Sequence, residues 1–231
     1  MPTGKRRRMD ESNRVTAREI ANRYLSKGDA FGWFEELYTQ ANGDASIVPW
    51  ADLMPNPNLV TWLDNHGITG AGKKALKIGC GLGDDAEELA CRGFDTTAFD
   101  ISPTAIAWCQ RRFPATSVHY AIADLFTAPR NWRGAFDFVL ESYTLQVLPR
   151  GLRQKAMAEI ADFIRPRGTL LVIARAREHT EAEGKMPWPL TSEDLNGFNS
   201  CDLTETTFED YMDNEEPPVR RFRVVYTRKV V

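Results

Sequence analysis

Apolar positions along this chain recur first with a helical period and then with the tight alternation of strands and helices. The early part is helical. Thr16-Ala17-Arg18-Glu19 has the form of a capping box and predicts a helix to about Lys27, closed by Gly28. A second helix after Asp29 carries Phe31, Trp33, Phe34, Leu37 and Tyr38 on an aromatic-rich face and ends at Asn42-Gly43. The prolines of 48–57 favour a loop, and Asn56 and Pro57 suit the cap and first position of a third helix that ends near His66-Gly67.

From Lys74 short apolar strands alternate with helices, which predicts a parallel sheet covered on both faces. Strands are expected over 75–78, 94–100, 117–122, 136–140 and 169–174. Helices are expected over 84–92, from Ser102-Pro103 to Phe113-Pro114, and over 151–164, the last ending in the turn Arg165-Pro166-Arg167-Gly168. Beyond a short helix at 191–195, residues 202–211 and 221–228 read as an antiparallel pair around Asn214–Pro218. The division expected is a flexible basic tail over 1–15, a helical cap over 16–70 and one α/β core over 71–231.

Length and composition narrow the class. The 231 residues suffice for one α/β domain with a full core, and 42% hydrophobic with 26% charged residues is ordinary globular composition. No apolar run has the length of a membrane span, and Met9–Arg14 stands where a signal peptide would need an apolar stretch. A cytoplasmic protein with no membrane association is expected. Cys80, Cys91, Cys109 and Cys201 show no metal or disulfide spacing, and His66, His119 and His179 are scattered, so reduced thiols and no metal are expected. A net charge of −3 argues against a nucleic-acid partner, despite the basic run Lys5–Arg8.

The chemistry begins at Ile78-Gly79-Cys80-Gly81-Leu82-Gly83-Asp84, a glycine turn between strand and helix where a ligand can approach the main chain. The helix that follows opens on Asp84 and Asp85, with Glu87 and Glu88 behind. Such a row disfavours a diphosphate and suits a ligand carrying ammonium and sulfonium charge. Asp100 ends the second expected strand 17 residues beyond Gly83, where open α/β sheets place the acid that binds ribose hydroxyls. Asp124 follows the third strand in Ala123-Asp124-Leu125, again at the carboxyl edge.

With these residues in order, the run from Ile78 to about Ala174 resembles the class I S-adenosylmethionine-dependent methyltransferases. The resemblance implies a single Rossmann-like domain with a seven-stranded, mostly parallel sheet, a C-terminal antiparallel hairpin and N-terminal lid helices. It implies that Gly79, Cys80, Gly81 and Gly83 border the methionine and ribose of the cofactor, that Asp100 with Ile101 holds the ribose, and that Asp124 with Leu125 meets the adenine. Lys77 stands where many members carry an acid; Glu141 and Asp84 are the candidate replacements for holding the cofactor's amino group. Gly32–Tyr38 with Val48-Pro49-Trp50 resembles the leading segment of the branch that methylates thiols, halides and thiopurines, which implies cofactor contacts from Trp33 and Trp50; core packing is the alternative for Trp33.

The acceptor is expected to be a small molecule with a thiol or other heteroatom nucleophile. Its contacts are sought in the loop after the fourth strand and the segment after the fifth: Tyr143, Gln146, Arg175 and Trp188, with Glu141 or Tyr143 as proton acceptor. Two rival readings remain. A nicotinamide oxidoreductase also uses a glycine turn and a ribose-binding acid, but Asp84 occupies its third-glycine position. A non-catalytic cofactor-binding module is the other, and a closed, partly apolar cavity beside the methyl position discriminates against it. Monomer and homodimer are both compatible with the sequence.

Overall fold

The computed structural model describes residues 11–230, so the basic run at 5–8 lies outside the described residues. Three helices lead the chain: α1 (Glu11–Leu25), α2 (Gly32–Ala41) and α3 (Pro57–Asn65). Helix α1 starts earlier than the capping box predicts, which places residues 11–15 of the expected tail in a helix. The Thr16 hydroxyl donates to the Ser12 carbonyl from inside the first turns and does not cap. Helix α3 starts as its sequence predicts, with the Asn56 side chain accepting from Asn58 N and Pro57 in the first turn.

The core alternates β1 (Lys74–Ile78), α4 (Asp84–Cys91), β2 (Asp95–Asp100), α5 (Pro103–Arg112), β3 (His119–Ile122), β4 (Phe136–Ser142), α6 (Arg150–Phe163) and β5 (Ile164–Arg175). After α7 (Ser192–Leu195) come β6 (Leu203–Met212) and β7 (Arg220–Arg228), the expected hairpin. The seven strands are ordered β3-β2-β1-β4-β5-β7-β6, and only β7 runs antiparallel to its neighbours. Strand β5 is longer than expected because Arg165–Gly168 does not separate it from α6. That stretch sits within the strand as an irregularity, where pairing shifts between Phe136 and Phe138 and Arg167 adopts φ 64°.

Successive side chains on a strand face opposite ways, and the central strands use this to serve two cores. Leu76, Ile78, Val139, Leu170 and Val172 pack on one face beneath Ala156 and Ile160 of α6. Ala75, Leu140, Leu171 and Ile173 pack on the other with Leu59, Trp62 and Leu63 of α3 and Leu89 of α4. Both faces being covered explains why these strands read as continuous apolar runs. The strand order reverses between β1 and β4, and a crevice opens outside the carboxyl ends there, the position at which open α/β sheets bind ligands.

Candidate active site

The crevice has a cavity volume of about 280 Å³, with β1, β2 and β4 ends as its floor and α1, α2 and the 49–56 loop as its roof. Gly79, Cys80 and Gly81 line the floor. Gly81 takes φ 55°, and a Cβ there would come within 3.3 Å of the Tyr38 hydroxyl, on the side from which the roof approaches. Gly83 has a different reason to be glycine: at φ 94° its Cβ would lie 2.4 Å from the Tyr120 hydroxyl, and it is not among the crevice-lining residues. Its constraint is packing of the turn against β3.

Asp100 ends β2 against that turn. One carboxylate oxygen accepts from Gly81 N at 2.9 Å and the other from Ser102 N at 3.0 Å. Burial raises its carboxyl above the usual range, while these backbone donors and the Lys77 charge work the other way. Each oxygen retains acceptor capacity toward the crevice, so the site fits a ligand diol. Ile101, Asp124 and Leu125 line the crevice beyond it. Asp124 uses one oxygen to cap the turn that follows, accepting from Phe126 N at 2.9 Å.

The row of carboxylates opening α4 is committed to the protein. Asp84 is bridged by both terminal nitrogens of Arg112 at 2.8 Å, Asp85 accepts from Asn56 N, Glu87 from Tyr120 and Thr116, and Glu88 from Arg92. Asp84 is therefore not a free partner for a ligand ammonium, contrary to the sequence expectation. Glu141 is likewise sealed off. It is fully buried, lies outside the crevice lining, and accepts from Thr144 N and Leu145 N with Oε1, while Oε2 has no partner. Burial pushes its carboxyl up to about 6. The role of proton acceptor or cofactor ligand expected for Glu141 has no geometric support. The crevice instead receives Lys77, whose ammonium donates to the Ile78 and Gly79 carbonyls at 2.8 and 3.4 Å.

At the other end, Tyr143, Gln146 and Arg175 all line the crevice as expected. Tyr143 adopts φ 66°, a strained conformation for a bulky side chain, and its ring packs under the Arg221 guanidinium at 5.0 Å. Gln146 is buried and accepts from Arg175 N at 2.9 Å. Trp188 is the exception: it lies outside the crevice lining, on the far side of the lid with Arg153 over its ring, because the 178–190 segment turns its Met186 and Pro187 inward instead. The sequence reading missed Arg14, Arg18 and Arg221. Arg221 belongs to the hairpin, and only the knowledge that β7 sits beside β5 brings it near the site.

Trp33 and Trp50 both reach the crevice. Trp33 is 1% exposed and stacked on Phe34 at 3.8 Å between ring centres, so it is chiefly lid core. Trp50 is half-buried and packs edge-on to Trp33, Phe34 and Tyr38. Among the described residues no cluster of three or more ligating side chains is placed to hold a metal ion, and no helix is long and apolar enough to cross a membrane.

Residues 75–168 match a family model described as a methyltransferase domain. The chain is 33% identical over 96 residues to the ubiquinone biosynthesis O-methyltransferase of Azotobacter vinelandii, an alignment covering 41% of each protein. It is 23% identical over 164 residues to probable thiol methyltransferase 2 of Arabidopsis thaliana, covering 68% of this chain and 67% of the other. The chain spans less than half the length of the first curated relatives it matches, 41% and 48%. Among solved structures, the Burkholderia thailandensis 1,6-didemethyltoxoflavin-N1-methyltransferase, crystallised with bound 1,6-didemethyltoxoflavin and S-adenosylhomocysteine, superposes with a TM-score of 0.62 at 14% identity. That match covers all of this chain and 93% of the other, and it shows a shared fold.

Proposed function

We propose, for a chain that carries the methyltransferase domain of the class I S-adenosylmethionine-dependent enzymes, that the crevice transfers a methyl group to the heteroatom of a small molecule, a thiol in the first instance. The observation that carries this reading is the concave, aromatic-lined shape of the crevice. Trp33, Phe34 and Trp50 line a largely apolar hollow together with the glycine turn, which suits a small acceptor better than a flat macromolecular face. Bound S-adenosylmethionine supplies an electrophilic methyl carbon next to a sulfonium.

The protein's own residues would bind, orient and exclude water. Asp100 would accept from the ribose hydroxyls, Gly79 and Gly81 would let the methionine part lie against the main chain, and Asp124 with Leu125 would meet the adenine. Aromatic rings of Trp33 and Trp50 would screen the cationic centre from water and attract it. Tyr143 and Gln146 would orient the acceptor for in-line attack. With Glu141 sealed beneath the floor, the expected carboxylate base is missing. A thiol, with an ordinary pKa near about 8.5, needs less help in losing its proton than an alcohol or amine, which supports sulfur as the accepting atom. A reducing compartment such as the cytoplasm fits the four free cysteines.

The test is calorimetric titration with S-adenosylmethionine and separately with NADH, on wild type and Asp100→Ala, followed by methyl transfer to a panel of small thiols, phenols and amines. Micromolar binding of the sulfonium ligand alone, lost in the variant, is expected, with turnover on a thiol. Binding of NADH alone, or of neither ligand, overturns the reading.

A further inference from the structure

Arg175 is the last residue of β5 and stands directly opposite Arg221 in the antiparallel pairing with β7. Like charges in that position repel, so a sheet that keeps both must neutralise them or use them. Arg221 is neutralised. Its guanidinium bonds Asp213 at 2.7 Å and Glu215 at 2.6 Å and is almost wholly buried.

Arg175 is not. It is half-buried and lines the crevice, yet its guanidinium makes no hydrogen bond or ion pair with the described residues; only its backbone is used, the N–H donating to the Gln146 side chain and the carbonyl accepting from Leu190 N. Burial, together with repulsion from Arg221 and Arg14, pushes it down to about 10, which still leaves it charged at neutral pH. Arg14 and Arg18 also line the crevice and share one exposed carboxylate, Glu11, so they add positive potential to this end. An ionic group removed from water without a partner is costly, and a ligand anion relieves that cost on binding.

Position says which ligand. Strand β5 lies two strands from β1, on the side of β4 away from the ribose-binding Asp100 of β2. Arg175 therefore faces the acceptor end, beside Tyr143 and Gln146. One free guanidinium presents a planar fork of donors matched to a planar monoanion.

We propose that the methyl acceptor carries a carboxylate, seated on the Arg175 guanidinium while its nucleophilic atom points back toward the glycine turn. This rests on the methyltransferase reading of the crevice. The carboxylate anchors and takes no part in bond making: the thiol loses its proton to solvent, the thiolate's electron pair forms the bond to the methyl carbon, and the carbon–sulfur bond breaks with its pair passing to the cofactor's sulfur, which leaves as a neutral thioether.

The experiment titrates the protein, saturated with S-adenosylhomocysteine, with thiophenol, 2-mercaptobenzoate and phenyl phosphate, in wild type, Arg175→Met and Arg175→Lys. Binding is read from tryptophan fluorescence. Wild type is expected to bind 2-mercaptobenzoate at least about tenfold more tightly than thiophenol; Arg175→Met erases the preference and Arg175→Lys keeps part of it. Affinity for S-adenosylhomocysteine, measured first, should stay within about twofold in all three proteins, which also shows that each variant is folded. Equal or tighter binding of thiophenol, tighter binding of phenyl phosphate, or a preference that survives Arg175→Met overturns the proposal. So does loss of S-adenosylhomocysteine binding in Arg175→Met alone, which would make Arg175 a cofactor ligand. Failure of wild type to bind S-adenosylhomocysteine sinks the methyltransferase reading instead.

Discussion

The indole N–H of Trp50 donates to the Tyr38 hydroxyl at 2.8 Å, and both groups face Gly81. This bond fastens the 49–56 loop to lid helix α2 over the glycine turn, so the roof of the crevice is held by side chains the glycine leaves room for. Tyr38 is 1% exposed, and its hydroxyl is the hydrogen-bond acceptor of this indole among the described residues.

Tyr38→Phe should therefore leave the Trp50 N–H short of an acceptor at nearly unchanged packing. A loss of about 1–2 kcal/mol is expected, which for a chain of this size lowers Tm by about 2–8 °C. Affinity for S-adenosylhomocysteine should fall a few-fold because the roof loosens. Urea unfolding and calorimetry on the same preparations check both; unchanged stability would mean the bond contributes nothing.

The parts of this molecule that a reader could take from the sequence are those with local causes. Strand and helix order follows from apolar spacing, α3 and α5 start at the Asn56 and Ser102 caps, and Asp100 could be placed beside the glycine turn from chain order alone. What stayed hidden depends on partners distant in the chain. Asp84 looked free until α5 delivered Arg112, and Gly83 looked ligand-facing until β3 delivered Tyr120. Glu141 and Trp188 sit in segments correctly assigned to the crevice edge, but each side chain turns away from it. A strand end shows one residue to the crevice and hides the next, so a one-residue difference in where the strand turns decides the role.

Glu141 offers a pH test with a definite sign. Its folded value of about 6 lies above the ordinary 4.5, so between these pH values the folded state holds a proton that the unfolded chain has released. Its contribution is thus fully present below about pH 4.5 and is lost as pH rises through about 6, by roughly 2 kcal/mol. Glu141→Gln keeps an oxygen for Thr144 N and Leu145 N and cannot ionise. The difference in stability between variant and wild type should shift in the variant's favour by about that amount from pH 4.5 to 7.5, read by urea unfolding across the series. A difference independent of pH would show that Glu141 titrates in the ordinary carboxylate range.

Glu35 ties the lid to the cofactor floor. From α2 its carboxylate accepts from the Ser102 hydroxyl, from Thr104 N at 3.2 Å and from the Thr104 hydroxyl at 2.6 Å, and Ser102 N in turn donates to Asp100. Burial works to raise the Glu35 carboxyl, but the hydrogen bonds from Ser102 and Thr104 outweigh it and hold the group below its ordinary value. The sign is opposite to that of Glu141: the stability Glu35 contributes is present above about pH 4.5 and is lost as pH falls through its lower folded value. Glu35→Ala removes the two oxygens that accept these three hydrogen bonds from a partly exposed site, so a cost of about 2 kcal/mol at neutral pH is expected, smaller in acid. Because the tie ends on the residue proposed to hold the ribose, the variant should also release S-adenosylhomocysteine faster, by about tenfold in stopped-flow displacement, with a smaller change in its association rate. Unfolding curves that weaken equally at pH 7 and pH 3 would mean the carboxylate acts through bulk rather than charge, and unchanged release would show that the lid opens without breaking this tie.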